Sequence, residues 1–380
     1  MKKFAYLTAA VLAASLLSAC SGTDNLAKPT PLKTFKPSLH FKKVWGHNTG
    51  TTASQYLNIA IGHDQQNVYV VSGKGVVQAY NAQSGKEMWH QALDTPIAGG
   101  VSVAQHLAVV SSRHGDIYAL STRDGHVIWQ KNINGVVLAP AAISKQAVFV
   151  KTINDNVLAL SAADGKTLWS DAGNPPSLVL RGGGQPQLFA DYLAVGTAAG
   201  QIQVYKQSDG SKLWSQQIAE PKGSFDIERM VDVTVAPIIT GDALYAAAFQ
   251  GNLVGYSLKD GSELWQHKLS AYTGMTVDAT HLYISAANGD LYAFNKTDGV
   301  SNWKLTALYA RGITAPALLA DTLIVGDEQG YVHAINKSTG RFVARQRATT
   351  KTIRSAPVIV GDEVFVLDVA GHLFAYRLEA

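Results

Sequence analysis

Apolar and polar residues alternate along most of this chain with a period of two, in runs of five or six broken by Gly, Asn, Asp and Pro, and the whole pattern returns about every 40 residues. The clearest copy of the repeat is Gly75-Val-Val-Gln-Ala-Tyr80. Its counterparts fall at 115–120, 155–160, 200–205, 251–256, 289–294, 330–335 and 371–376. A more uniformly apolar run precedes each copy. A glycine turn follows it, and in six copies a tryptophan stands four residues beyond that glycine, as in Gly85 to Trp89 and Gly125 to Trp129. Two-residue periodicity with turn residues between the runs predicts antiparallel meanders. A unit this small cannot bury its own apolar face, so eight of them must lean on one another. The expected fold is all-β: an eight-bladed β-propeller of four-stranded antiparallel blades.

The stretch 314–345 shows the expected layout of one blade. Ala315-Pro316 opens the first strand, nearest the ring axis, where a proline without an N–H is tolerated. The second strand is 322–326, the third 331–335 and the outer strand 341–345. Ala–Pro recurs at 139–140, 236–237 and 356–357. The tryptophans are expected to cover the joints between blades, each N–H finding a partner there.

The eighth third-strand run, 371–376, has no outer strand after it, while Trp45 in Phe41-Lys-Lys-Val-Trp45 belongs to no other copy. The N-terminal segment is therefore expected to complete the last blade and close the ring, and closure is expected to leave few free edges. The seventh copy carries Ala344 where the others carry Trp. That joint is expected to be weaker, or to be filled by Phe342.

The first residues do not fit the repeat. Lys2 and Lys3 precede the apolar stretch 5–17, which ends in Leu17-Ser18-Ala19-Cys20. A basic start, a short apolar run and small residues mark a secretory signal, here 1–19. Cys20 is the single cysteine of the chain, so no internal disulfide can form. Its setting resembles a bacterial lipobox. In such signals the cysteine becomes the diacylated, N-acylated first residue of the mature protein, and several acyl chains give stable anchoring. Ser21 in place of an aspartate favours the outer membrane, facing the periplasm. Residues 20–38, with Pro29, Pro31 and Pro37, read as the lipidated cysteine and a flexible tether. Residues 39–380 make the propeller.

Charge narrows the partners. The formal charge is +4, and only 16% of residues are charged. The one modest basic patch lies at 341–354, too slight for a nucleic-acid footprint. The eleven histidines show no metal-ligand spacing, and the aspartates fall mainly in hairpin turns.

Two stretches lengthen the repeat: 174–186, and 219–232 within the 51 residues from Gly200 to Gly251. Insertions of this kind map to loops, often on the binding face. Leu178, Leu180, Arg181, Ile227, Arg229 and Met230 either form a contact patch there or cap the blade cores.

The Gly-x-x-x-Trp turn resembles that of the quinoprotein alcohol dehydrogenases, which hold pyrroloquinoline quinone on the axis. Those enzymes use an adjacent cysteine pair and a calcium ion held by converging oxygens. One cysteine cannot supply the pair, so no cofactor and no enzyme activity are expected. A PQQ-dependent dehydrogenase, or a cell-wall or polysaccharide-binding propeller, stands as the alternative. The lipobox, the lone cysteine and the ring of Gly/Trp blades together resemble the BamB family, propeller lipoproteins of the outer-membrane β-barrel assembly machinery. Ser177-Leu-Val-Leu-Arg181 is similar to that family's Leu-x-Leu-Arg segment. The resemblance implies a non-catalytic scaffold in which Leu178, Leu180 and Arg181 touch the periplasmic domains of the barrel subunit BamA. It also implies a second contact stretch with two acidic residues two apart. Here Asp232 keeps the first, and Thr234 replaces the second. Unfolded outer-membrane protein precursors are a further partner, taken up at strand edges.

Overall fold

The computed structural model describes residues 27–51, 59–176, 178–180, 182, 184–225 and 228–380. The alternating runs become eight four-stranded antiparallel sheets. Blade 1 uses Gly62–His63, Asn67–Val71, Val76–Asn81 and Glu87–Ala92. Blades 2 to 7 repeat this order, and blade 7 ends in Tyr331–Asn336 and Phe342–Arg347. The short first strands of successive blades lie side by side around the axis. The second strands are the most buried, as in Asn67–Val71 and Leu107–Ser111. Their apolar side chains fill the joints between neighbouring blades. One such cluster joins Tyr69, Val71 and Ala79 of blade 1 to Ala108, Val110 and Leu120 of blade 2.

The expected closure is present. His40–Asn48 pairs antiparallel with His372–Glu379, and the last sheet runs 40–48, 372–379, 363–367, 358–360. Blade 8 is therefore assembled from both ends of the described chain, which locks the ring without a covalent bond.

Each tryptophan bridges to the next blade. Trp45 Nε1 donates to the Ala82 carbonyl at 2.7 Å and Trp89 Nε1 to that of Thr122 at 2.8 Å, and the pattern continues to Trp303 and Lys337 at 2.8 Å. Under each indole lies the turn glycine of the following blade. At Gly125, φ is +77°, and a Cβ there would stand 2.4 Å from the Trp89 ring. Glycine is required twice over, by its left-handed backbone and by the ring pressed on it.

A β-bulge explains how the tryptophan faces inward. In blade 1 Ala79 pairs with Trp89 while Tyr80 pairs with Glu87, so Met88 is left over. The same slip leaves out Ile128, Leu168, Leu213 and Leu264, and Val44 in blade 8. One extra residue reverses the inside–outside phase at that point. The indole turns into the joint and the residue before it turns to solvent: Met88 is 54% exposed and Leu264 51%.

Two expectations need correction. Closure joins the first blade to the last but does not remove edges, because within each sheet the outer strand is paired on one side only; in blade 7 the N-terminal strap donates to Val343 beyond it. The bulges, not the ring, blunt those edges. The joint lacking a tryptophan is filled by other apolar residues, and Phe342 is not one of them. Blade 8 has no hairpin between its third and outer strands, so there is no turn glycine for an indole to cover. Ala344 is 1% exposed in a cluster with Ile353, Val364, Val366 and Tyr376, against which Leu39 and Phe41 of the N-terminal segment pack. Phe342 packs instead on the cluster around Trp303 and Leu32, its ring 5.6 Å from that of Phe35.

Residues 27–38 carry no strand but lie along blade 7. Thr30 N–H donates to the Tyr309 carbonyl at 3.0 Å, and the Thr30 carbonyl accepts from Arg311 Nη1 at 3.1 Å. Arg345 Nη1 donates to the Lys33 carbonyl at 2.9 Å, and its guanidinium lies 5.0 Å from the Phe35 ring centre. Ser38 and Leu39 both donate to the Val343 carbonyl. Behind this strap, Arg311 and His333 converge on buried Asp327 at 2.7 and 2.9 Å.

Candidate functional site

Strand order decides which loops share a face. An outer strand ends on the side where the next blade begins, and the second strand returns to that same side. The long stretches 172–186 and 218–237 therefore lie on one face, with the second-to-third-strand turns. They connect blade 3 to blade 4 and blade 4 to blade 5.

Asp232 is the centre of this region. It is 1% exposed and forms a β-bridge with Phe249, whose N–H donates to the Asp232 carbonyl at 2.8 Å. Leu180 of the first loop lines the same small cavity as Asp232 of the second, so the two loops meet here. The Asp232 carboxylate oxygen Oδ1 has no partner among the described residues. Burial pushes the Asp232 carboxyl up to about 7. Nearby Lys151 draws it down, and Asp155 pushes it up further. Lys151 and Asp155 form a buried ion pair at 3.2 Å, and Asp155 also accepts the Ala198 N–H at 3.0 Å. A cavity of about 10 Å³, close to one water's room, lies between Lys151, Leu180, Gly182 and Asp232.

The loop crosses close over the backbone below it. A Cβ on Gly184 would stand 2.8 Å from the Val235 carbonyl, and one on Gly182 would stand 3.1 Å from Thr234. Thr234 replaces the acidic residue implied by the resemblance. Its hydroxyl donates to the Tyr272 carbonyl at 3.2 Å, so it ties this loop to the next blade connection. Val231, Val233 and Val235 are 0–1% exposed and cap blade cores.

The sequence-derived candidates thus divide. Leu178 is exposed, at 43%, and Leu180 is partly buried over Asp232. Arg229 is exposed in a turn closed by Glu228 and Arg229 N–H groups on the Phe225 carbonyl. Asp232 is an internal support of the loop, not a surface group. Arg181, Ile227 and Cys20 lie outside the described residues. Sequence reasoning missed Phe225, 68% exposed, and also Ile153 and Tyr272, at 38% and 41% on the same face. Phe225 was legible as an aromatic in a Lys-Gly-Ser-Phe loop. Tyr272 was not, because only the fold brings its connection beside Thr234. Among the described residues no group of three or more His, Asp or Glu is placed to hold a metal ion.

Comparison with known proteins agrees with the propeller fold and shows the family. The sequence profile of a family described as outer membrane protein assembly factor BamB matches residues 73–305 and 309–379. The protein of that name from Pseudomonas aeruginosa is 40% identical over 97% of this chain and 97% of its own length. The one from Legionella pneumophila is 42% identical over 93% and 92%. The crystal structure of BamB from Moraxella catarrhalis superposes with a TM-score of 0.81 at 26% identity, covering 89% of this chain and 99% of the other. A quinohemoprotein alcohol dehydrogenase from Comamonas testosteroni reaches a TM-score of 0.70 at 12% identity, covering 90% and 76%, a likeness of fold alone.

Proposed function

This chain belongs to the family of outer membrane protein assembly factor BamB, and we propose that it is a non-catalytic scaffold lipoprotein of the outer-membrane β-barrel assembly complex. It sits on the periplasmic side of the outer membrane, anchored through Cys20. Its loop face takes up the periplasmic domains of BamA and braces them. The observation that carries the site is the meeting of the two long loops at buried Asp232, where Leu180 lines the same small cavity. Leu178, two residues before Leu180, is exposed as an apolar anchor, and Arg181 would supply a directed polar contact. Ile153, beside Leu180, and the exposed Phe225 of the next loop add apolar surface on the same face.

The test is capture of the isolated BamA periplasmic domains by the mature chain. Leu178→Ala with Arg181→Ala should weaken capture by about tenfold or more while the melting curve stays put. Unchanged capture would remove the loop from the contact. A dehydrogenase reading lacks the cysteine pair, since the chain has one cysteine.

Precursor strands are a second reading, favoured by one observation. Met88, Ile128, Leu168, Leu213 and Leu264 repeat one exposed apolar position around the rim, each within an outer strand that is paired on one side only. An extended segment with alternating apolar residues would find contacts there.

A further inference from the structure

We infer that the flank formed by the N-terminal strap and blades 7 and 8 is a docking surface for an anionic lipid bilayer. Residues 27–63 and 329–361 hold eleven Lys or Arg and no Asp or Glu. The remainder of the chain carries 21 basic residues (32 less 11) against all 28 acidic ones. Folding brings these two stretches together: the strap crosses blade 7 on the Val343 and Lys33 contacts, and His40–Asn48 continues as the outer strand of blade 8. Lys28, Lys33, Lys36, Arg341, Arg347 and Lys351 are exposed there, with no ion pair among the described residues. The acidic groups bordering the flank are already engaged. Asp327 is buried under Arg311 and His333, Glu328 pairs with Arg354, Asp321 with Lys337, and Glu379 with Lys42.

The occupant follows from chain length and charge. The inference rests on the lipid anchoring proposed above. Ten residues separate Cys20 from Thr30, a reach of at most about 35 Å when fully extended. Thr30 is held at both its N–H and its carbonyl, so the anchor's slack ends at the edge of this flank. The basic surface is thereby kept beside the bilayer to which the chain is tethered. Each cation there gains from an anionic surface only within roughly a screening length, about 8 Å at physiological salt. An acyl anchor plus a basic patch is the two-signal arrangement that fixes a protein's orientation on a membrane.

The experiment uses the mature chain carrying Cys20→Ser, so that no acyl chain contributes, and co-sedimentation with phosphatidylcholine vesicles with and without phosphatidylglycerol. At low salt, binding to the anionic vesicles should exceed binding to neutral ones by about tenfold or more, and it should vanish near 1 M salt, where screening falls to about 3 Å. Lys33→Glu, Lys36→Glu, Arg341→Glu and Arg347→Glu together should abolish it. The same four positions changed to Gln should weaken it without reversing charge. Lys74→Glu, Lys131→Glu, Lys145→Glu and Lys259→Glu, spread over blades 1, 2, 3 and 5, should leave it intact. Equal binding to neutral vesicles, no binding at all, or equal loss in the control set would each overturn the inference. Capture of BamA domains is read on the loop face and is expected to be unchanged in the flank variants, so failure here would leave the proposed function standing.

Discussion

The indole N–H of Trp45 donates to the carbonyl of Ala82 at 2.7 Å, and the Trp45 ring lies over Gly85, where an added Cβ would meet it at 2.7 Å. A residue from before the first blade thus seals the joint between the last blade and the first. Trp45→Ala should cost about 2–4 kcal/mol, somewhat less than a fully buried tryptophan. It should lower the urea midpoint of the whole ring in one transition. Met88→Ala, at an exposed bulge, should stay within about 0.5 kcal/mol of the parent. Equal effects of the two would show that the closing joint carries no special share of stability.

Gly125 and Gly241 separate two costs of replacing a turn glycine. Both have positive φ, +77° and +57°. A Cβ at 125 would collide with Trp89, whereas at 241 nothing lies within 4 Å. Gly241→Ala should cost about 1–2 kcal/mol, the left-handed strain alone. Gly125→Ala should cost clearly more, because the indole must also leave the joint. Denaturation curves and the near-ultraviolet signal of Trp89 would measure both.

Asp232 should make the fold less stable as pH rises. Its carboxyl is raised to about 7 by burial, against an ordinary value of 3.8, so between those limits the folded chain holds a proton that the unfolded chain has released. Stability from this group is full below about pH 4 and lost by about pH 7, by at most about 4 kcal/mol. Asp232→Asn keeps the side-chain size and an acceptor oxygen without the charge. It should therefore raise the melting temperature at pH 8 and show no gain at pH 4. A gain that does not change with pH would refute the assignment.

His333 should act in the opposite sense. Arg345 Nε donates to its Nδ1 at 3.2 Å, so Nε2 carries the proton given to Asp327 at 2.9 Å, and the ring is neutral. Burial holds its pKa below the usual 6.5, with Asp327 pulling it up and Arg345 and Arg311 pressing it down. As pH falls below about 6.5 the unfolded chain binds a proton that the folded ring refuses, and stability is lost. His333→Gln should flatten that acid limb of the melting temperature between pH 7 and pH 5. An unaltered limb would place the acid sensitivity elsewhere.

The repeat was readable because its signals are local. Alternation along 75–80, the glycine at 85 and the tryptophan at 89 follow from strand periodicity and turn geometry within a few residues. Even closure could be read from Trp45, since it left one blade short of a strand and one segment without a blade. The candidate loops were legible as breaks in spacing, but whether Leu178 faced solvent or capped a core was not, and the structure leaves it exposed.

What the chain alone determined is therefore the number of blades, their order and the tryptophans at seven of the joints, because these depend on contacts repeated at short, regular separation. Only the tertiary structure decided that Met88 and its counterparts bulge outward, that Asp232 works from inside, that Ala344 is covered by Leu39 and Phe41, and that the strap lies on blade 7. Each of these depends on groups far apart in sequence meeting at one place. A carboxylate becomes a buried group between two loops, and scattered lysines and arginines become a single basic flank, only once the ring has closed around them.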